Sequence, residues 1–308
     1  MTIDRFGSAT VMLLVDAAPA PWPTDIADVT AAVAAPRARR SPWPRVRAHA
    51  FMTAVALFSC FPIYWMFVTG LRQRGREYDS SLIPFPPSLD GVRYVFETLD
   101  VWRLLANTFF FAIVVTLAQL LTSIFAAYAF ARWEFFGKRV LFAAFLATWL
   151  VPFQVTMIPN YVLLSERGWL NSLTGIIVPQ LAGAYGVLML RQHFKSFPSE
   201  LLDAARLDGK GAWSTLWRVI LPNMQAPITA LGLLLFVTAW NDYLWPLLVF
   251  RNADSVIQVG VQTLIAADGG NNWGAIMAAS ALACLPLLLL FVVLQRRLMD
   301  AFLRSGLK

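Results

Sequence analysis

The sequence predicts an all-α integral membrane protein with six membrane-spanning helices, and three observations carry that prediction. Mean hydropathy is +0.60, with 58% hydrophobic and 14% charged residues over 308 positions, a balance outside the usual range of soluble domains. Six apolar runs are each long enough to cross a hydrocarbon layer of about 30 Å. Lysine and arginine are spread unevenly over the loops between those runs.

Residues 1–44 differ from the rest. They are rich in Ala, Pro and Asp, contain APAPWP, and hold one short apolar stretch, Val11 to Val15, too brief for a signal segment or a span. Either a disordered cytoplasmic tail or an upstream start codon accounts for them, and no function is attached. The six-helix domain then occupies 45–308, with spans at about 50–70, 104–130, 141–163, 173–190, 228–250 and 275–294. Pro62, Pro152, Pro179, Pro246 and Pro286 fall inside these spans and predict kinks there.

Orientation follows from basic residues. Placing the N-terminal tail, the 131–140 loop, the 191–227 loop and the C-terminal tail in the cytoplasm puts about 18 of the 25 lysines and arginines inside. Both termini are therefore expected in the cytoplasm, with Arg72, Arg74 and Arg76 as the main exceptions outside. The net charge of +7 has the same origin. Its clusters, Arg37 to Arg47 before the first span and Arg296 to Lys308 after the last, flank the membrane and suit anionic lipid headgroups better than nucleic acid. Cys60 and Cys284 both lie in apolar runs, which argues for packing rather than a disulfide or a zinc site.

Between spans 1 and 2, Pro84, Pro86 and Pro87 predict an extended path, and Val92 to Leu99 an interfacial helix. Polar residues at membrane depth are the candidates for a transport path or gate. Asp242, within span 5, is the sharpest; Asn241 adjoins it, and Gln154, Asn160 and Tyr161 belong to span 3. Trp240, Trp245 and Tyr161 offer aromatic faces of the kind sugars stack on, although tryptophan near a span end also serves as an interface anchor.

The most polar long segment is ELLDAARLDGKGAWSTLWRVILPNMQAP, from Glu200 to Pro227. It predicts a helix from about Ser199 to Leu207, a break at Asp208-Gly209, and an amphipathic helix from about Trp213 to Val219 stopped before Pro222. Ala204 and Ala205 are small enough for a partner's backbone to approach, and Asp203, Arg206, Asp208 and Lys210 suit charge pairs at the rim of a partner's groove. An enzyme is not expected. There is no GxxxxGK[ST] to hold ATP phosphates, no HExxH or GxSxG, and only His49 and His193.

The polar segment resembles the EAA loop of permease subunits in binding-protein-dependent ABC importers: Asp203-Ala204-Ala205, then Gly209, then Ile220-Leu221-Pro222. Asp203 departs from the family's usual Glu and shortens that side chain's reach. Further phrases, VPFQVTMIPNYVLL at 151–164, GWLNSLTGIIVPQLA at 168–182 and WNDYLWPLLV at 240–249, extend the resemblance from about Ala50 to the C-terminus. Asn107-Thr108 matches a pair that opens the second helix in related permeases. These phrases resemble the carbohydrate branch, with maltose, trehalose and glycerol-phosphate permeases, and the smaller of its two permease subunits.

The resemblance implies the type I ABC importer permease fold, with a cytoplasmic coupling loop at about 199–222. It implies Glu200, Asp203, Ala204, Ala205, Arg206, Asp208, Gly209 and Pro222 as residues coupling the chain to its ATPase. Implied partners are a second homologous permease in a heterodimer, two ATPase subunits that use ATP and Mg2+, an extracytoplasmic solute-binding protein and membrane lipids, with no nucleic acid and no cofactor bound by this chain. The implied activity is import of a di- or oligosaccharide across the cytoplasmic membrane. Import of glycerol phosphate or a modified amino sugar is the alternative within transport; an ATPase-independent carrier or a membrane scaffold is the alternative outside it. The loop between spans 1 and 2 is a surface for the binding protein, or an ordinary loop with an interfacial anchor.

Overall fold

A computed structural model describes the backbone of residues 43–250, 255–267 and 272–305, and side chains over 46–250, 255–265 and 272–295. The N-terminal tail to residue 42 and, Arg47 apart, the basic clusters flanking the first and last spans lie outside the described side chains. The chain divides into two compact units, Met1–Ser59 and Cys60–Lys308. In the first, the described residues form the opening half of helix α1, Trp43–Gly70.

The second unit holds the remaining helices: α2 Asp90–Thr98, α3 Val101–Arg132, α4 Lys138–Leu150, α5 Phe153–Glu166, α6 Leu173–Ile177, α7 Ala184–Lys195, α8 Ser199–Leu207, α9 Ala212–Thr215, α10 Gln225–Trp240, α11 Leu244–Val249, α12 Ile257–Ala267 and α13 Trp273–Ser305. No strand occurs among the described residues. Four stretches are long and apolar enough to cross a bilayer: Val46–Gly70, Val101–Arg132, Gln225–Val249 and Trp273–Gln295. Two bent pairs bring the number to as many as six.

Those bends fall in the third and fourth spans, where Pro152 and Pro179 predict kinks, and they go further than kinks by dividing each span into separate helices. The third is two helices, α4 and α5, meeting at 93°, where Val151 is extended and Pro152, lacking an N–H and holding its neighbour out of the helical region, begins α5. The fourth is α6, a 3-10 turn at Val178–Gln180, and α7, bent by 41°. The fifth is interrupted too, because α10 ends at Trp240 and α11 starts at Leu244. By contrast α1 and α13 run through Pro62 and Pro286 unbroken. The second span opens earlier than its Asn-Thr pair, at Val101, with Asp100 accepting a hydrogen bond from Arg103 N.

Helix α3 is the mast. Three apolar clusters meet it in turn along its length: Val101 and Leu104 with Val95, Ile257 and Ile276; Phe111, Ala112 and Val115 with Ile176, Trp240 and Trp245; and Ile124, Ala127, Tyr128 and Phe130 with Leu190, Phe194, Leu216 and Leu231. Between helices in lipid, association depends on close packing rather than on expulsion of water. A close approach joins α3 and α7, where a Cβ on Gly186 would lie 2.3 Å from Ser123 Oγ and 3.0 Å from Ser123 Cβ.

Asn107 and Thr108 sit two turns into α3 and hold α12 in place. Asn107 Nδ2 donates to Ser255 O at 2.9 Å, and Thr108 Oγ1 accepts from Ile257 N at 2.9 Å while donating to Leu104 O. The loop between α1 and α2 folds around buried Arg72, whose guanidinium donates to Glu77 O and Ser81 O and lies over the Trp65 ring. Helix α2 has Gly91 and Val95 buried and lies against α13.

Substituting Gly186→Val should loosen the α3–α7 contact by about 1–3 kcal/mol, the usual cost of overpacking. The control is Gly232→Ala, whose added Cβ meets only Leu120 Cδ2 at 3.8 Å. Thermal unfolding in detergent should drop for the first variant and hold for the second.

Candidate functional site

Two regions gather the residues that the sequence singles out. In the polar loop, α8 ends in a closed cap. Lys210 N donates to Ala205 O and Gly209 N to Arg206 O, both at 2.9 Å, which is the paired bonding of a Schellman ending. Gly209 stands at φ +71° with nothing within 4 Å of a built Cβ, so conformation and not crowding demands glycine there. After Gly211 the chain turns into α9, and Leu221 N–H then reaches back to Leu216 O across a π turn at Leu216–Ile220. Pro222 has no N–H to offer Arg218, and the wider π turn absorbs that loss. The second helix of the loop therefore passes through Pro222 to Asn223 instead of stopping before it.

The loop is rooted in the bundle. Leu202, Leu216 and Ile220 enter the same apolar cluster as the end of α3. Arg132, at that end, donates to Phe194 O at 2.6 Å and to Phe197 O at 3.4 Å, which satisfies carbonyls where α7 stops. Tyr128 Oη donates to Ala212 O at 3.1 Å.

What faces outward is mostly short or apolar. Ala204 is exposed, but Ala205 is buried against the chain's own core, which corrects the expectation that both alanines meet a partner. Glu200 is exposed in the first turn of α8, where an acid favours the helix dipole. Asp203 accepts from Arg206 at 3.1 Å and Asp208 pairs with Lys210 at 3.4 Å. The charges thus pair within the loop here. Leu207 is 91% exposed and Trp213 64%. Trp213 stacks on Phe125 at 5.6 Å and meets Trp217 at 5.8 Å. Leu207 and Trp217 escaped the sequence reading, although the i, i+4 spacing of the tryptophans was there to be seen.

The second region is where the broken helices converge. A cleft of about 340 Å³ is lined by Phe153 from the α4–α5 break, Pro179, Gln180 and Ala182 from the α6–α7 break, and Asp242 from the α10–α11 break. Asp242 lies in that interruption rather than within a helix. Gln180 Nε2 donates to Asp242 Oδ2 at 2.8 Å, the backbone N–H of Trp245 is a second donor to the same carboxylate, and Gln119 Nε2 donates to Gln180 O at 2.7 Å. Neither glutamine was singled out from sequence. An amide in an apolar run gives no signal of its partner without the fold.

On the other side of the interruption, a cleft of about 320 Å³ is lined by Asn241, Tyr243, Gln258, Gln262 and Ser280, with Trp240 in its wall. Trp240 is nearly fully buried, with its indole N–H donating to Ala283 O at 3.2 Å and its ring against Phe109 and Phe236. Trp245 is buried as well, so neither ring is an open face. Asn241 Nδ2 donates to Val237 O within its own helix. Gln154, Asn160 and Tyr161 lie on α5 and line neither cleft.

Comparison with known proteins agrees with this architecture. Residues 119–304 match the family described as binding-protein-dependent transport system inner membrane component. A lactose transport system permease protein of Rhizobium radiobacter is 31% identical over 263 residues, covering 85% of this chain and 96% of the relative. An arabinooligosaccharides transport system permease protein of Halalkalibacterium halodurans is 29% identical, covering 82% and 93%. An sn-glycerol-3-phosphate transport system permease protein of Yersinia pestis is 29% identical, covering 80% and 92%. Among solved structures, a chain of a bacterial ABC transporter involved in import of the acidic polysaccharide alginate superposes with a TM-score of 0.72 at 22% identity, covering 85% of this chain and 99% of that one.

Because the turn at Gly209 needs a left-handed residue, Gly209→Ala should destabilise the end of α8 by about 1 kcal/mol, and Gly209→Asn by less. Faster hydrogen exchange at the Lys210 amide in the alanine variant, with a smaller change in the asparagine variant, is the expected readout.

Proposed function

This chain belongs to the binding-protein-dependent transport system inner membrane component family, and from that premise we propose that it is a permease subunit of an ATP-driven importer that carries a di- or oligosaccharide. The observation that bears most on mechanism is the α8–α9 loop: a capped helix presenting Ala204 and Leu207 outward, packed on the end of α3 through Leu202, with Tyr128 holding Ala212 and Arg132 holding the segment that leads into it. Such a helix transmits force only if both its ends are fixed. The partner ATPase grips the outer face through Glu200, Asp203, Ala204, Arg206, Asp208 and Gly209; Ala205 and Pro222 hold the loop's own shape. Closure of two ATPase subunits on Mg2+ and ATP then tilts the bundle between inward and outward access. No bond is made or broken by this chain.

In this reading the loop and both termini lie in the cytoplasm, a second homologous permease completes the pathway, and an extracytoplasmic binding protein delivers the solute. Sugar is favoured over a phosphorylated solute by the chemistry of the two clefts. Among the described residues their linings offer amides, hydroxyls and the Asp242 carboxylate, with no lysine or arginine to meet a phosphate.

Reconstituting this chain with its second permease, ATPase pair and binding protein in liposomes tests the reading. Uptake of a labelled oligosaccharide should require both ATP and the binding protein. Uptake without ATP would make the chain a carrier, and no flux from an assembled complex would make it a scaffold. The substitution Ala204→Trp, on the exposed face, should leave membrane insertion intact yet lower uptake and binding-protein-stimulated ATP hydrolysis about a hundredfold, as blocking a close helix contact costs several kcal/mol. Both rates measured on the same vesicles check it.

A further inference from the structure

We propose that Gln119 and Gln180 are positioning residues that, through Asp242, latch the α6–α7 break to the α10–α11 break in one of the two access states. The proposal rests on the permease reading and adds the residues that set its equilibrium. Three observations carry it. All three interrupted spans send residues to one cleft: Phe153, Gln180 and Asp242. Two of those interruptions are joined by a side-chain hydrogen bond from Gln180 Nε2 to Asp242 Oδ2, 2.8 Å long and assisted by the carboxylate's charge, with a longer bond from the same amide to Ile176 O at 3.4 Å. The carbonyl of the same Gln180 ends a 3-10 turn before the break, and Gln119 Nε2 of α3 takes it at 2.7 Å.

The result is a chain of donors, Gln119 to Gln180 to Asp242, running from the unbroken mast through one interruption into the next. Its position beside an open cleft matters as much as its bonds. A bond wholly buried in apolar packing would be fixed in place; here about 340 Å³ of space adjoins it, so water or solute hydroxyls are at hand to replace either amide when the helices move. Thr238 faces the same cleft with its hydroxyl turned back to Leu234 O, leaving Gln180 as the side chain that holds the carboxylate in the latched state. A hydrogen bond to a charged group shifts a two-state equilibrium by roughly ten- to a hundredfold.

The test uses Thr238→Cys in a Cys60→Ala, Cys284→Ala background and follows its labelling by a water-soluble maleimide in native membrane vesicles, alongside uptake by the reconstituted importer. Gln180→Leu should lower the labelling rate and uptake each by about tenfold at unchanged amounts of inserted chain. The exchange Gln180→Glu with Asp242→Asn reverses donor and acceptor, and should restore both to within about threefold, while Gln180→Glu alone does not. A merely structural role would give no such reciprocal rescue. Should Gln180→Leu fail to insert, Gln119→Met, of similar volume, removes the outer bond and is read in the same way. Unchanged labelling and uptake in the inserted variant, or an exchange pair as impaired as Gln180→Glu alone, overturns the latch. Failure of wild-type vesicles to take up sugar with ATP and binding protein present would instead count against the permease reading, and the labelling arm still decides the latch.

Discussion

A hydrocarbon layer offers no hydrogen bonds, so each interruption of a helix at membrane depth must find its own partners, and that constraint organises this protein. Three spans are interrupted, and their interruptions face one another instead of facing outward separately. Meeting in one place lets each break satisfy the next: the amide of Gln180 supplies Asp242, the amide of Gln119 supplies the carbonyl of Gln180, and the backbone of Trp245 supplies the other claim of the carboxylate. Polar groups that would be costly singly become a connected set beside a cleft.

The same helix that serves this set also anchors the α8–α9 loop. Gln119 lies near the middle of α3, and Tyr128 and Arg132 at its end take hold of the α7–α9 region through Ala212, Phe194 and Phe197. Between them stand Ser123 and Gly186 in close contact, and the aromatic and aliphatic cluster from Ile124 to Phe130. A push on the loop therefore has an unbroken helix and a packed interface to act through before it reaches the breaks. This is a physical connection; the coupling itself is what the two-state measurements address.

Sequence reading was strong where apolar length speaks for itself and weak where a break depends on context. Spans such as α3 and α13 announce themselves as long runs with few charges. Prolines did not locate the interruptions by themselves: Pro152 opens a 93° bend, whereas α1 and α13 absorb Pro62 and Pro286. The difference lies in what surrounds the freed carbonyl, which a linear pattern does not contain. Asp242 stood out because a carboxylate in an apolar run is rare, but its neighbour in space is 62 positions away at Gln180. In the loop, Gly209 was legible because a left-handed turn has so few candidate residues, while the opposite fates of Ala204 and Ala205 follow from the packing of Leu202 against α3.

That packing also fixes what kind of contact the loop makes. With Asp203 bound to Arg206 and Asp208 to Lys210, four of the charged groups on its surface are already paired, and all but Lys210 are largely exposed, so exchanging these partners for others contributes little net energy. The affinity of a docked helix must then come from the exposed apolar residues, Leu207 above all, and from the closeness that Ala204 permits, with the charges setting register. Trp213 and Trp217, stacked with Phe125 where the loop meets α3, hold its depth against the bundle. A closed cap, a small outward residue and a packed inner face together suit the lever role proposed for the loop.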